Sequence, residues 1–183
     1  MRIDLYSDKV FKPNKLALIK SAIVLNGSDF NPPHVGLLLN NMYFSSTANG
    51  LKINVPFEYI FNAFKRRKHK VIVASTNINI DIPLALEIFK QHDFLGVNYS
   101  CYKPVKVCFE KSLNTLFDAT YVYQLSPILF NQDILLDFHH HGFNVVGHKK
   151  SIVLPRYSEK EILNCIDKER FHFDRKAEIS VHR

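Results

Sequence analysis

The chain has 183 residues, of which 46% are hydrophobic and 22% are charged, so a folded domain is expected and a disordered or collagen-like chain is excluded. Apolar residues never run for the roughly 18 positions that cross a bilayer, and charges interrupt the N-terminus, so neither a transmembrane helix nor a signal peptide is predicted. The net charge is +7, with the excess of Lys and Arg concentrated at residues 65–70. We therefore expect a cytoplasmic or virion-associated protein without a membrane partner.

The first half of the chain indicates mixed helix and strand structure. Residues 16–25 have apolar positions at helical spacing, and a helix that runs into a strand gives the same pattern. Short apolar or alternating segments between turn residues predict an antiparallel meander at residues 34–39, 42–46 and 51–55. A helix is then predicted over residues 57–67, and it leads into the strongest strand candidate, residues 70–75. We expect this strand to lie beside the meander in the same antiparallel sheet.

The second half is predicted to be mainly helical. Helices are expected at residues 82–94, 104–117 and 126–140. The last of these has Ser126 as its N-cap and Pro127 at its first helical position, and it ends before Gly142. Short strands are expected at residues 143–146 and 151–154. Ser158 and Glu161 have the spacing of a capping box at the start of a further short helix.

These elements together predict the fold class α+β. A small, mostly antiparallel sheet is expected to carry helices packed against it. We assign residues 1–166 to a single domain, because no Gly/Ser-rich linker divides them, and residues 167–183 to a charged C-terminal tail.

A cluster of basic residues lies between the helix at residues 57–67 and the strand that follows it. The cluster consists of Lys65, Arg66, Arg67, Lys68 and Lys70. A solvated helix end explains these charges, since helix C-termini favour cations. Binding of phosphates or of an acidic surface explains them as well.

Metal and disulfide sites are not predicted. The cysteines, Cys101, Cys108 and Cys165, are odd in number and lack CxxC spacing, so reduced thiols are expected. The histidines at 139–141 would end the helix at residues 126–140, where their charge complements the helix dipole. A contiguous triplet cannot place all three rings on one metal from one helix face. No nucleotide-binding or metal-binding motif is present, and no cofactor is expected.

His34 is the strongest candidate for a chemical role. It opens an apolar strand directly after a Pro-Pro loop. A histidine at a strand end can face a cleft and act as a general base, and a histidine that merely caps the edge of the core occupies the same kind of position.

The segment PPHVGLLLNNMYFSSTANGLKINVP, residues 32–56, resembles the His-containing half of the circularly permuted NlpC-type, papain-like hydrolases. In that superfamily a His-Val-Gly-apolar strand is followed by a hairpin strand and a glycine turn into a third strand. KVIVAS matches the next strand, and LGVNYS, residues 95–100, resembles the segment before the nucleophile helix. The resemblance covers residues 16–165 and implies a permuted papain-like domain in which His34 is the base. The superfamily contains cell-wall peptidases, amidases and acyltransferases.

The same resemblance places the nucleophile on Ser126, or on Gln124 if the alignment is shifted by two residues. A papain-like thiol is activated because the helix dipole and an imidazole lower its pKa, whereas a serine hydroxyl starts many units higher. Cys101, expected in a loop that can approach a cleft, and Cys108, expected in a helix, compete for the role. The family also places a polar residue on the strand after the His strand, where it orients the imidazole, and Ser45 and Ser46 lie there.

Three functions are therefore carried forward. The first is a catalytically degenerate domain with a structural or binding role, for example in a phage or virus particle, that contacts a protein partner through the basic cluster and the tail. The second is an active amide, peptide or ester hydrolase with His34 as base and Ser126 or Cys101 as nucleophile. The third is a basic polyanion-binding protein. The presence or absence of a thiol beside His34 discriminates between the first two.

Overall fold

The computed structural model describes residues 2–12, 19–27, 32–93 and 100–168. The fold is α+β, as the sequence predicts, with an antiparallel sheet and packed helices. The strands are β1 (Arg2–Tyr6), β2 (Ser21–Asn26), β3 (His34–Leu39), β4 (Met42–Thr47), β5 (Gly50–Pro56), β6 (Val71–Thr76), β7 (Leu135–His141) and β8 (Lys149–Val153). The helices are α1 (Phe57–Arg66), α2 (Ile82–Gln91), α3 (Tyr102–Leu113), α4 (Val122–Asn131) and α5 (residues 159–168).

Six strands form the main sheet in the order β5-β4-β3-β2-β6-β7, and every neighbouring pair is antiparallel. The predicted meander is confirmed as β3, β4 and β5. β6 was expected beside this meander, but β2 lies between β3 and β6 and pairs with both. β2 occupies the centre because its first five residues are all buried, and a strand covered on both faces carries a continuous apolar run rather than an alternating one.

The hairpin between β3 and β4 is tightened by a two-residue turn. Asn40 and Asn41 both have positive φ angles, 44° and 70°. Two consecutive residues of this kind form the turn whose twist matches that of the flanking strands, and Asn tolerates it better than most residues. The turn fixes the register that pairs Leu39 with Met42 and Leu38 with Tyr43.

Each face of the sheet packs into its own apolar cluster. One cluster contains α1, whose side chains Phe57, Phe61 and Phe64 pack on Leu38 and Tyr43. The other lies on the opposite face and contains side chains of α2, α3 and α4. Side chains alternate along β3, so His34 and Gly36 lie on the same face as Leu38, towards α1.

The helix predicted over residues 126–140 is wrong in both of its bounds. α4 begins at Val122 and ends at Asn131, and residues 135–141 form β7 at the edge of the sheet. Asp133 between them has a φ angle of +55°, which helical residues do not adopt. Residues 143–146 are not a strand, whereas the strand expected at 151–154 is present as β8, paired with β1.

The short helix predicted after Ser158 is confirmed as α5. The backbone N–H of Ser158 donates to Oε2 of Glu161 (2.7 Å), and the backbone N–H of Glu161 donates back to Oγ of Ser158 (3.4 Å). This is the reciprocal capping box that the spacing predicts. Residues 167 and 168, assigned to the tail, belong to this helix, and the rest of the predicted tail lies outside the described residues.

Candidate functional site

A cavity of about 600 Å³ opens at one end of the main sheet. Its floor is formed where β2 and β4 end and β3 and β5 begin. Its walls come from three helices: the C-terminal end of α1, the residue that precedes α3, and one side of α5. Two of the candidate catalytic residues, His34 and Cys101, line it, together with a second cysteine, Cys165.

His34 enters the cavity from the first position of β3, where it is partly buried. Burial, and secondly the positive charge of Lys52, lower the pKa of His34 to about 4. The imidazole is therefore neutral at pH 7, and a neutral imidazole is the form that accepts a proton.

Cys101 enters the same cavity from the N-terminus of α3, where it is the N-cap residue. β3 is paired with β4 only over residues 37–39, so the first half of β3 lies beyond that ladder. The backbone N–H of Val35 donates instead to Sγ of Cys101 (3.4 Å). α3 packs on the face of the sheet opposite His34, and both side chains line the same cavity.

The protonation state of Cys101 is set by two opposing effects. Burial, and to a smaller extent the Cys165 thiol, raise the pKa of the Cys101 thiol to about 11, while the N–H groups of Val35, Cys101 and Tyr102 act in the opposite direction. Those N–H groups belong to the strand and to the first turn of α3, and helix N-termini stabilise negative charge. Cys101 and His34 together are thus a neutral thiol beside donors and a neutral imidazole.

The inner wall contains two buried hydroxyl groups, those of Tyr43 and Ser45. They lie near one another, but neither meets hydrogen-bond geometry with any residue that the structure describes. A buried donor without a partner costs roughly 1–3 kcal/mol, so such groups are often found where a ligand supplies the partner. The ring of Tyr43 lies against the backbone of Gly36, where a Cβ atom would be only 2.3 Å from the Tyr43 hydroxyl oxygen.

Of the two serines predicted to orient His34, only Ser45 lines the cavity. The hydroxyl of Ser46 faces the opposite side of the sheet and donates to the backbone carbonyl of His92 (2.9 Å). Ser46 is therefore committed to holding the C-terminal end of α2, and the prediction for it is wrong.

Ser126 is not at a helix N-terminus, and that prediction is also wrong. The N-cap of α4 is Tyr121, whose capping box includes Gln124, and Ser126 lies one turn further along the helix. Its buried hydroxyl donates to the carbonyl of Val122 (2.9 Å), the residue one turn earlier. Ser126 does not line the cavity, so the structure does not bring it together with His34. Cys108, in contrast, lies in a helix as predicted, and its side chain is buried in the core.

The basic cluster extends from the C-terminal end of α1. Lys65, Arg66, Arg67 and Lys68 are exposed, and Lys70 is partly buried. Only Arg67 of this cluster lines the cavity, together with Lys52 from β5. The sequence reasoning missed Lys52, although its position between Leu51 and Ile53 on an alternating strand places it on the face opposite theirs.

The histidine triplet lies in β7 and not at a helix C-terminus. The predicted interaction of these histidines with a helix dipole is therefore wrong. Successive side chains of a strand point to opposite faces, and His140 is buried, with its Nε2 atom bonded to the carbonyl of Tyr6 (2.9 Å). Within the described ranges, no group of three His, Cys, Asp or Glu residues could hold a metal ion.

Comparisons with family models, with curated proteins and with solved structures found no match to this chain. Among the described residues, no helix is long and apolar enough to cross a membrane. The functional argument therefore depends on the chemistry of the cavity.

Proposed function

We propose that the protein is a thiol-dependent hydrolase or acyltransferase of the permuted papain-like type, in which Cys101 is the nucleophile and His34 the general base. The supporting observation is that a helix N-terminal cysteine and a strand-initial histidine line one cavity, with the Val35 N–H donating to the sulfur. The argument for a degenerate domain depended on Ser126 as the nucleophile, and Ser126 is buried inside α4. Cys101, which lines the same cavity as His34, therefore replaces Ser126 as the candidate nucleophile.

The reaction starts from the neutral pair and not from a preformed thiolate, since burial raises the pKa of the Cys101 thiol and lowers that of the His34 imidazole. The proton therefore leaves the sulfur only as the sulfur attacks. As the Cys101 sulfur attacks the carbonyl carbon of an ester or amide, its proton passes to the His34 ring and the carbonyl electron pair moves onto oxygen. At the start of α3 the N–H groups of Cys101 and Tyr102 remain as donors for that oxyanion, since the N–H of Lys103 donates to the carbonyl of Ser100 (3.0 Å) and Pro104 has none. Collapse of the intermediate expels the alcohol or amine, which takes the proton from His34. Water or another acceptor then cleaves the thioester bond.

Acylation of Cys101 by p-nitrophenyl acetate tests this proposal. The expected result is release of p-nitrophenol together with one acetyl group on Cys101, located by peptide mass spectrometry. Cys101→Ala should abolish both signals. His34→Ala should slow acylation by about 10²–10⁴-fold, because removal of a general base has that effect.

Matched controls separate this chemistry from general thiol reactivity. Cys165→Ser removes the second thiol that lines the cavity and should leave acylation of Cys101 intact, and Ser126→Ala should have no effect. Equal acylation rates in the wild type and in His34→Ala would contradict the proposed pair. Loss of acylation in Cys165→Ser, but not in Cys101→Ala, would show that Cys165 and not Cys101 is the nucleophile.

A further inference from the structure

We infer that the cavity contains an anion subsite, formed by Lys52 and Arg67 at the rim and by Ser45 and Tyr43 on the inner wall, that binds a carboxylate or phosphate group of the ligand. The inference deepens the proposed function and rests on it in one respect, namely that the anion belongs to the molecule whose carbonyl Cys101 attacks. Binding of the anion itself does not require that chemistry.

The first argument is the charge of the cavity wall. Lys52 and Arg67 both line it, and among the described residues no Asp or Glu does. The two cations are close enough that the charge of Arg67, after the larger effect of burial, lowers the pKa of Lys52. No carboxylate within the described ranges forms an ion pair with either of them. Two neighbouring cations repel one another, and an anionic ligand group between them removes that repulsion.

The second argument is independent of charge and concerns hydrogen bonding. Ser45 is the direct cross-strand partner of Lys52, so their side chains lie on the same face of the sheet. Ser45 and Tyr43 are almost completely buried, and their hydroxyls lack partners among the described residues. An oxyanion accepts several hydrogen bonds at once, so one such group can satisfy these donors and the rim cations together.

The third argument is the position of the subsite relative to the reacting groups. After the larger effect of burial, the charge of Lys52 also lowers the pKa of His34. An anion bound at Lys52 offsets that charge and makes the His34 imidazole a stronger base. The ligand class that these observations favour is therefore an ester or amide with a carboxylate or phosphate near the bond that is cut.

An NMR titration of the ¹⁵N-labelled chain at low ionic strength tests the subsite, with acetate, methyl phosphate and acetamide as probes. Acetate and acetamide differ mainly in charge, and methyl phosphate distinguishes phosphate from carboxylate as the preferred group. We expect the two anions to shift the amide signals of Lys52 and Gly50 in a saturable manner, and acetamide not to do so. Saturable shifts with acetamide, or none with either anion, would overturn the inference.

Variants locate the binding. Lys52→Gln and Arg67→Gln should each weaken anion binding by about three- to fivefold, the effect of losing one partly exposed charge pair. Arg66→Gln is the matched control, because it removes the same charge one residue from Arg67 and does not line the cavity. Its binding constant should change less than twofold. An equal loss in Arg66→Gln would assign binding to the exposed basic cluster and overturn the subsite.

A second measurement distinguishes failure of this inference from failure of the proposed function. The titration is repeated with Cys101→Ala, in which anion binding should be unchanged. Acylation is compared between p-nitrophenyl acetate and p-nitrophenyl hydrogen succinate, which carries a free carboxylate. The succinate should react faster, and Lys52→Gln should reduce that advantage. Anion binding without acylation would refute only the hydrolase, whereas acylation without anion preference would refute only the subsite.

Discussion

Replacement of Gly36 by Ala tests the packing that forms the inner wall of the cavity. A Cβ atom at this position would lie 2.3 Å from the Tyr43 hydroxyl oxygen and 2.5 Å from two carbons of its ring. Non-bonded carbon atoms prefer separations of about 3.5–4.0 Å, so the ring would have to move by roughly 1 Å. On the side of α1 the ring has no free space for this, because it packs against Phe57 and Phe64 at centroid distances of 5.7 and 6.3 Å.

We therefore expect Gly36→Ala to lower the free energy of unfolding by about 1–3 kcal/mol, the usual cost of overpacking a core. Urea denaturation measures this change, and the melting temperature should fall by about 2–4 °C for each kcal/mol in a chain of this size. The φ angle of Gly36 is not in the left-handed region, so backbone strain does not contribute.

A double-mutant cycle with Tyr43→Leu isolates the clash. Leucine lacks the ring, so Gly36→Ala should cost less in the Tyr43→Leu background, with a coupling energy of at least about 1 kcal/mol. A stability of Gly36→Ala within about 0.5 kcal/mol of the wild type would refute the reasoning. A cycle whose two effects simply add would refute it equally.

Three more outcomes are expected. Tyr43→Phe removes a buried hydroxyl that has no partner among the described residues, so it should stabilise the free protein by up to about 1 kcal/mol in urea denaturation while weakening acetate binding. Ser126→Ala should change the unfolding free energy by less than about 1.5 kcal/mol, because only the bond to the Val122 carbonyl is lost. The pKa of His34 is about 4 when folded, below its value of 6.5 in an unfolded chain, so the unfolded state binds more protons between these values. The contribution of His34 to the free energy of unfolding should be fully present above pH 6.5, and it should fall by at most about 3 kcal/mol on acidification to pH 4. In His34→Asn, the free energy of unfolding should lack this dependence on pH.

The meander could be predicted from the sequence because each of its signals is local. The apolar run of β3, the Asn40-Asn41 turn and the alternation in β5 all act over a few residues, and they agree with one another. The position of β2 could not be predicted in this way, since the pairing partner of a strand depends on contacts between distant parts of the chain.

The boundary between α4 and β7 shows where local signals fail. Residues 122–141 are apolar at positions compatible with a helix throughout, and no Gly or Pro marks the turn at residues 132–134. The Ser126-Pro127 pair satisfies the rule for a helix start, yet in α4 the proline lies inside the helix. A short apolar segment such as β7 cannot be assigned to helix or strand by periodicity alone.

The start of α3 differs from the prediction for a related reason. The helix was predicted to begin at Pro104, which left Cys101 in a loop. The structure begins α3 at Tyr102, so that Pro104 lies in the first turn and Cys101 is the N-cap. Proline is tolerated anywhere in the first turn because the N–H groups there have no partner within the helix. A start two residues earlier was therefore equally consistent with the sequence, and it would have favoured Cys101 over Ser126.

The pairing of β1 with β8 has a consequence for biosynthesis. Asp4 in β1 accepts a hydrogen bond from Ser151 in β8, across a separation of 147 residues. At about 5–20 residues per second, a ribosome needs roughly 7–30 s to synthesise the intervening chain. During that time the apolar side chains of Ile3 and Leu5 have no partner strand. The charged residues that alternate with them, Arg2 and Asp4, would then keep the waiting strand from pairing with other nascent chains.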